Sequence, residues 1–399
     1  MKIQSKSARK ITDRVFEVGV RDWDRRLFDE LIPLPDGTSY NSYIVKGSEK
    51  TVLIDTVNPN KGRQLIANLK STGITKIDYI IAHHGEQDHS GSIPKVLKHY
   101  ADAKIVTNAK CADELQTLLL VPQDKFIIIE DEQTLSLGDR TLRFIFYPWV
   151  HWPETFLTYL EEEQILFTCD FLGSHLATSH LFSKDDSRTY KASKRYYAEI
   201  MMSFRKNIVS KFNKLTELKL KYILPSHGPL HDNPQWIIDC YKDWTSDKVK
   251  NEVVLAYVSM HGSVKVMAEY FIDKLISEGI TVKPFNISVT DIGELAMDLV
   301  DAATIVIGSP TVLAGAHPLA MYAGILANAL RPKTRFVSVI GSYAWGGKMV
   351  DKIAGLLPNL KIEILEPVLS KGYPVEEDYR ALDKLVETIK QKHKELGLL

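Results

Sequence analysis

The sequence predicts an α/β chain of two domains, and three observations carry that reading. Its 399 residues and 45.2 kDa exceed one ordinary domain of about 150 residues. The first 250 residues mix short β-runs, turns and a few helices. From Glu252 onward, strand and helix alternate almost regularly.

In the first part, Ser42 to Thr56 reads as a hairpin, two β-rich runs joined by Gly-Ser-Glu-Lys. Further β-runs are expected at Ile77–His83, Lys104–Thr107, Phe126–Glu130, Thr141–Trp149, Phe156–Leu160, Ile165–Asp170 and Tyr222–Pro225. Helices such as Lys61–Ser71 and Ile93–Tyr100 fall between them, which suggests sheets layered inside helices. After a helix around Pro234–Trp244 the boundary is placed in Thr245–Asn251, giving domains 1–250 and 251–399. The second domain offers apolar runs at Val253–Val258, Ile280–Phe285, Thr304–Gly308, Arg335–Gly341 and Lys361–Leu365, each followed by a helical stretch. Such near-continuous apolar strands belong to a parallel sheet covered on both faces. Pro284 sits in the second run, and proline is tolerated chiefly at a sheet edge. The doubly wound order 2-1-3-4-5 puts strand 2 at that edge.

Composition narrows the function classes. Fifty Lys+Arg balance fifty Asp+Glu, which excludes the overall basic excess of a sequence-independent nucleic-acid binder. Cys111, Cys169 and Cys240 are too scattered for a disulfide framework or a cysteine-rich cluster. No apolar run approaches the ~18 residues of a membrane span. The N-terminal MKIQSKSARK is basic without the apolar stretch of a signal peptide. The expected location is the cytoplasm, with no membrane partner.

The sharpest local feature is His84-Gly85-Glu86-Gln87-Asp88-His89, directly after a β-run. Three more donors stand at the ends of later runs: His151, Asp170 and His227. Four imidazoles and three carboxylates exceed the needs of one ion and suit two, with one carboxylate bridging. Nitrogen and oxygen donors without thiolate fit zinc, iron or manganese. His83, His99, His180 and His231 read as ordinary histidines. His175 and Tyr197 are candidates to hydrogen-bond the ligands from outside.

The second domain carries three loops at strand carboxyl ends, where a doubly wound sheet binds its ligand. The first is Ser259-Met260-His261-Gly262-Ser263, which opens a helix and aims backbone N–H groups at an anion. It lacks both the lysine of an NTPase loop and the dinucleotide glycine fingerprint. It fits a phosphate monoester held by neutral donors, as flavodoxins hold FMN. The second is Gly308-Ser309-Pro310-Thr311-Val312, and the third is Gly341-Ser342-Tyr343-Ala344-Trp345-Gly346-Gly347. Their glycines let the backbone approach a flat ring, and Tyr343 or Trp345 could stack on it.

The pattern H-x-[EH]-x-D-H followed by a distant His, Asp and His resembles the metallo-β-lactamase-like domains. With Glu86 in the second place, HWPE around His151 and the flavin-type second domain, nearly the whole chain resembles the flavodiiron proteins (A-type flavoproteins). The resemblance implies an N-terminal αββα metal domain and a flavodoxin-like FMN domain. It implies that His84, Glu86 and His151 hold one iron, that Asp88, His89 and His227 hold the other, and that Asp170 bridges. Harder, more anionic ligation through Glu86 favours iron that cycles between two oxidation states over redox-inert zinc. The implied activity is reduction of O2 to water, of NO to N2O, or of both. Electrons would pass through FMN from a rubredoxin, reduced coenzyme F420 or a flavin reductase. The implied assembly is a head-to-tail homodimer or a dimer of dimers. The chain departs from the commoner family form at His261, where an aromatic is frequent, at Ser263, where threonine is frequent, and in the loop VLAGAHP after Thr311. The alternative is a zinc-dependent hydrolase of the metallo-β-lactamase superfamily fused to a flavodoxin-like domain.

Overall fold

The structure is a computed structural model that describes residues 8–399. Most of the basic N-terminal stretch read above, residues 1–7, lies outside the described residues. The chain divides into two compact units: Met1–Tyr196 with Phe204–Lys242, and Tyr197–Ser203 with Asp243–Leu399.

The first unit holds two sheets face to face. One has seven strands in the order Arg9–Lys10, Val15–Glu17, Tyr43–Lys46, Thr51–Ile54, Tyr79–Ile81, Lys104–Thr107 and Phe126–Ile128. The other runs Thr134–Ser136, Thr141–Phe146, Phe156–Leu160, Ile165–Cys169 and Tyr222–Pro225. Successive strand side chains point to opposite faces, and Thr51–Ile54 shows the consequence. Val52 and Ile54 join Phe144, Phe156 and Phe167 between the sheets. Leu53 points the other way, into a cluster with Leu65, Leu69, Ile93 and Leu115 of the covering helices. On the far side, the Tyr147 and Tyr159 hydroxyls donate to the Lys211 and Lys219 carbonyls in and after the helix Arg205–Thr216. Four layers result, helix–sheet–sheet–helix.

The second unit is a parallel sheet in the order Thr281–Asn286, Lys250–Tyr257, Ala302–Val312, Phe336–Tyr343 and Glu363–Ile364, with Val368–Lys371 also paired to Phe336–Tyr343. This is the order 2-1-3-4-5. Pro284 lies in the edge strand opposite Leu255, where a missing N–H need not break a ladder. The fifth strand comes in two pieces because Glu366 and Pro367 interrupt it.

The third strand also differs from the expected Thr304–Gly308. It continues through Pro310, Thr311 and Val312, which the sequence reading had placed in a loop. These residues are strand because Thr311 and Val312 pair with Ala316 and Gly315 across a two-residue turn. Both turn residues, Leu313 and Ala314, have φ above +50°, the conformation that matches the twist of a hairpin. Among the described residues no helix is long and apolar enough to cross a membrane.

Candidate metal centre

All seven predicted donors converge at one end of the first unit. His84, Glu86, Asp88 and His89 follow the strand Tyr79–Ile81, His151 follows Thr141–Phe146, Asp170 directly follows Ile165–Cys169, and His227 follows Tyr222–Pro225. The backbone takes unusual forms here, with φ near +50° at Asp55 and Cys169 and +66° at Trp149. Such residues persist only where their surroundings over-determine them.

The donors form two groups: His84, Glu86, His151 and Asp170 in one, Asp88, His89 and His227 in the other. Asp170 faces both. Its Oδ2 lies 3.5 Å from His84 Nε2 and 3.3 Å from His151 Nε2. Its Oδ1 lies 3.0 Å from His89 Nε2 and 3.2 Å from His227 Nε2. Glu86 Oε2 closes the first group at 3.0 Å from His84 and 3.5 Å from His151. Asp88 closes the second, at 3.3 Å from His89 and 3.1 Å from His227.

These separations suit metal ions. Donors about 2.0–2.2 Å from a common ion stand roughly 3.0–3.5 Å apart in octahedral or tetrahedral arrangements. The hydrogen bonding says the same. Both Asp88 oxygens and His89 Nε2 are buried and lack any hydrogen-bond partner, a state that buried polar atoms rarely keep without an ion or water. Burial alone would push the Asp170 carboxyl up. The His89 charge and hydrogen bonds from His151, His227 and His89 hold it well below the usual carboxylate range. The pocket therefore favours Asp170 as the charged carboxylate, which is the form a cation requires.

Outer partners fix which ring nitrogen points inward. His84 Nδ1 donates to Glu154 Oε1 at 2.5 Å, and the same oxygen accepts the Gly85 N–H at 3.0 Å. His227 Nδ1 donates to the Ser39 carbonyl at 2.6 Å. In each case Nε2 is left to face the donors. His83 behaves oppositely, as the sequence suggested. Its Nδ1 meets Asp55 Oδ2 and its Nε2 meets Thr158 Oγ1, both at 2.7 Å, so neither nitrogen is free for a metal.

Of the two outer candidates, His175 packs 4.9 Å from the His227 ring and 4.8 Å from Tyr196, with Nδ1 2.9 Å from Thr38 Oγ1. Burial, then the charge of His227, holds it neutral, well below the ordinary imidazole range. Tyr197 requires a correction. Its hydroxyl donates to the Trp244 carbonyl at 3.3 Å, and the hydroxyl that reaches the donors is that of Tyr196, 3.0 Å from Asp170 Oδ1. Consecutive helical residues point about 100° apart, so only one of two adjacent tyrosines can face Asp170. Glu154 and Ser39 were not singled out from the sequence, although Glu154 stands three residues after His151. Only Glu86 and His151 keep notable side-chain exposure, 16% and 14%, so the donor set opens to solvent on their side.

In the second unit the predicted loops stand at strand carboxyl ends. Ser259, Met260, His261 and Gly262 lead into the helix Ser263–Ser277, and Gly262 adopts φ +95°. Ser259 Oγ accepts the Lys265 N–H at 3.1 Å. Ser342 and Tyr343 end the fourth strand, followed by Ala344, Trp345, Gly346 and Gly347. A Cβ on Gly347 would stand 3.0 Å from Thr311 Cγ2, so the second and third loops meet there. Trp345 is 67% exposed, a bare indole face that fits the stacking of a flat ring.

Known proteins share this arrangement. Residues 38–228 match the ODP family beta lactamase model and residues 255–382 the flavodoxin model. The chain is 33% identical over 362 residues to a nitric oxide reductase of Moorella thermoacetica, covering 89% of this chain and 90% of that one. It is 31% identical to a coenzyme F420H(2) oxidase of Methanocaldococcus jannaschii, covering 98% of both. Among solved structures it superposes on rubredoxin oxygen:oxidoreductase of Desulfovibrio gigas with TM-score 0.93, at 28% identity and 97% and 98% coverage. The flavodiiron protein of Giardia intestinalis gives TM-score 0.87, at 26% identity and 96% and 98% coverage. The chain belongs to the flavodiiron protein family. Membership makes it an oxidoreductase that works with FMN and a non-haem diiron centre. In this flavodiiron protein the donor set with its unpartnered Asp88 fits two metal ions, and the flavodoxin unit implies FMN.

Proposed function

We propose that this chain reduces O2 to water, NO to N2O, or both, with electrons drawn through FMN from an external donor. The observation that carries the reading is Asp170, whose two oxygens face two separate donor groups. His84, Glu86 and His151 would hold one iron, Asp88, His89 and His227 the other, with Asp170 between them. Ser259, Met260, His261, Gly262 and Ser263, with Pro310–Val312 and Ser342–Gly347, would hold FMN. Residues 1–250 then carry the diiron site and residues 251–399 the flavin. Iron and flavin, once bound, supply the electrons that reduce the gas.

The chain's own residues position and protonate. Glu154 and the Ser39 carbonyl hold His84 and His227 with Nε2 inward. Tyr196 steadies Asp170, and His175 stays uncharged beside His227. Asp29, at the tip of the hairpin Leu27–Phe28 and Ile32–Pro33, is pushed up to about 6 by burial and by the charges of Glu86 and Asp88. It can therefore hold a proton near neutral pH in the metal-free chain.

The donor is a rubredoxin, reduced coenzyme F420 or a flavin reductase, and the working unit is a head-to-tail homodimer or a dimer of dimers. Cys111 and Cys169, buried thiols rather than disulfide halves, are in keeping with a cytoplasmic location. Glu86 among the donors and the flavodoxin unit disfavour the zinc-hydrolase alternative. Metal and flavin analysis followed by anaerobic reduction and stopped-flow mixing with each gas tests the proposal. About two irons and one FMN per chain with rapid reoxidation by a gas are expected. A colourless zinc protein inert to both gases would refute it.

A further inference from the structure

Beside His84, two buried carboxylate oxygens that take no part in ligation have no donor. Glu154 uses Oε1 for His84 Nδ1–H and Gly85 N–H, while its Oε2 is buried and without a hydrogen-bond partner. Glu114 Oε2 is buried and equally without one. Glu114 belongs to the helix Ala109–Leu119, whose first turn is anchored nearby by Asn108. That side chain caps the Cys111 N–H and donates through Nδ2 to the Glu154 carbonyl. Gly85 lets the two acids approach: a Cβ there would fall 2.3 Å from Glu114 Oε2. Two unpartnered oxygens on adjacent acids are both satisfied by a single proton, because a neutral carboxyl gains the donor that a carboxylate lacks.

We propose that Glu114 is a positioning residue of the metal site: its carboxyl stays protonated, donates to Glu154 Oε2, and so holds the Glu154 carboxylate in the orientation that takes the His84 proton. The two acids divide the proton unequally. Burial, then the charge of Glu154, pushes Glu114 up to about 7. Glu154 is the acid that keeps its charge, because its Oε1 already accepts from His84 Nδ1 and the Gly85 N–H and only Oε2 is left to take a further donor. Glu114 thus carries the proton and Glu154 the charge that His84 faces. The inference rests on the reading of His84 as an iron ligand.

The test compares the iron-loaded wild type with Glu114→Gln and Glu114→Ala. Glutamine replaces the O–H donor by an N–H donor, whereas alanine leaves Glu154 Oε2 unpartnered. Because outer partners of ligating histidines change metal affinity by about 10–100-fold, and Glu114 stands one step further out, release of iron to a chelator should be about tenfold faster in Glu114→Ala. Release from Glu114→Gln should match the wild type. The infrared difference spectrum of wild type minus Glu114→Gln should show one protonated-carboxyl C=O stretch. Equal release from all three proteins, release from Glu114→Gln as fast as from Glu114→Ala, or no such stretch would overturn the inference. A wild-type chain that never holds two irons would instead overturn the ligand reading itself, so the two failures are distinguishable.

Discussion

Replacing Glu154 separates charge from shape at the outer edge of the metal site. Glu154 Oε1 accepts two hydrogen bonds, from His84 Nδ1 and the Gly85 N–H, in a position only 1% exposed. Hydrogen bonds to a charged group are worth about 1.5–3 kcal/mol, and neutral ones about 1 kcal/mol. Glu154→Gln keeps an accepting oxygen but removes the charge, so each bond weakens by about half. Iron affinity should fall roughly tenfold, equivalent to about 1.4 kcal/mol. Glu154→Leu removes both bonds and leaves the His84 Nδ1–H and the Gly85 N–H unpaired, which should bring the loss near 100-fold. Competition against a chelator of graded strength measures this, with circular dichroism confirming that each variant is folded. Equal iron affinity in wild type, Glu154→Gln and Glu154→Leu would refute the claim that this carboxylate sets the orientation and basicity of His84.

Three further outcomes follow from the same geometry. Burial holds the His231 imidazole down at about 4, against 6.5 when unfolded, and its Nδ1 has no acceptor to meet a second proton. Between those values the unfolded chain binds a proton that the folded chain does not. Stability is therefore intact above about 6.5 and falls by about 3 kcal/mol as pH drops toward 4. Urea titrations of the metal-free protein should show His231→Gln losing that part of the pH slope, and identical slopes would contradict it. Tyr196→Phe should shift the visible spectrum of the iron-loaded protein, since it removes the hydrogen bond to Asp170 Oδ1. Tyr197→Phe should leave that spectrum unchanged, and the reverse result would show that the wrong tyrosine has been assigned. Trp345→Leu should weaken FMN retention by about 2–10-fold, the worth of a lost aromatic stack, read from flavin fluorescence on dilution. No change would place the ring elsewhere.

The convergence of the seven candidate donors was legible because four of them fall within six residues, and because ligation restricts a position to a few residue types. Strand ends carried the rest: His151, Asp170 and His227 each stand in or just after a turn that closes an apolar run. What was not legible depends on helix phase and on charge buried in pairs. The choice between Tyr196 and Tyr197 turns on where the helix Ser187–Tyr196 gives way to the π-helical Tyr197–Met201, a change that no periodicity announces. The early strands escaped for a related reason. Val15–Glu17 is three residues long and carries Glu17, only 1% exposed, which sequence pattern alone assigns to the surface. Arg9 at 3.0 Å and Arg21 at 2.9 Å make that burial possible, and each is remote from or out of pattern with the strand it serves.

The same logic explains why Glu114 was invisible and Glu86 was not. Glu86 acts through its own atoms at a point where its neighbours in sequence act too. Glu114 acts through Glu154, forty residues later, and only the missing donors on both acids reveal the pairing. A ligand declares itself by residue type and spacing, whereas the group that orients a ligand declares itself by an unsatisfied atom. The former can be read from a chain and the latter only from a fold. The residues that tune a metal site are therefore found by asking which buried oxygen lacks a proton, and Glu114→Gln against Glu114→Ala puts that question to this chain directly.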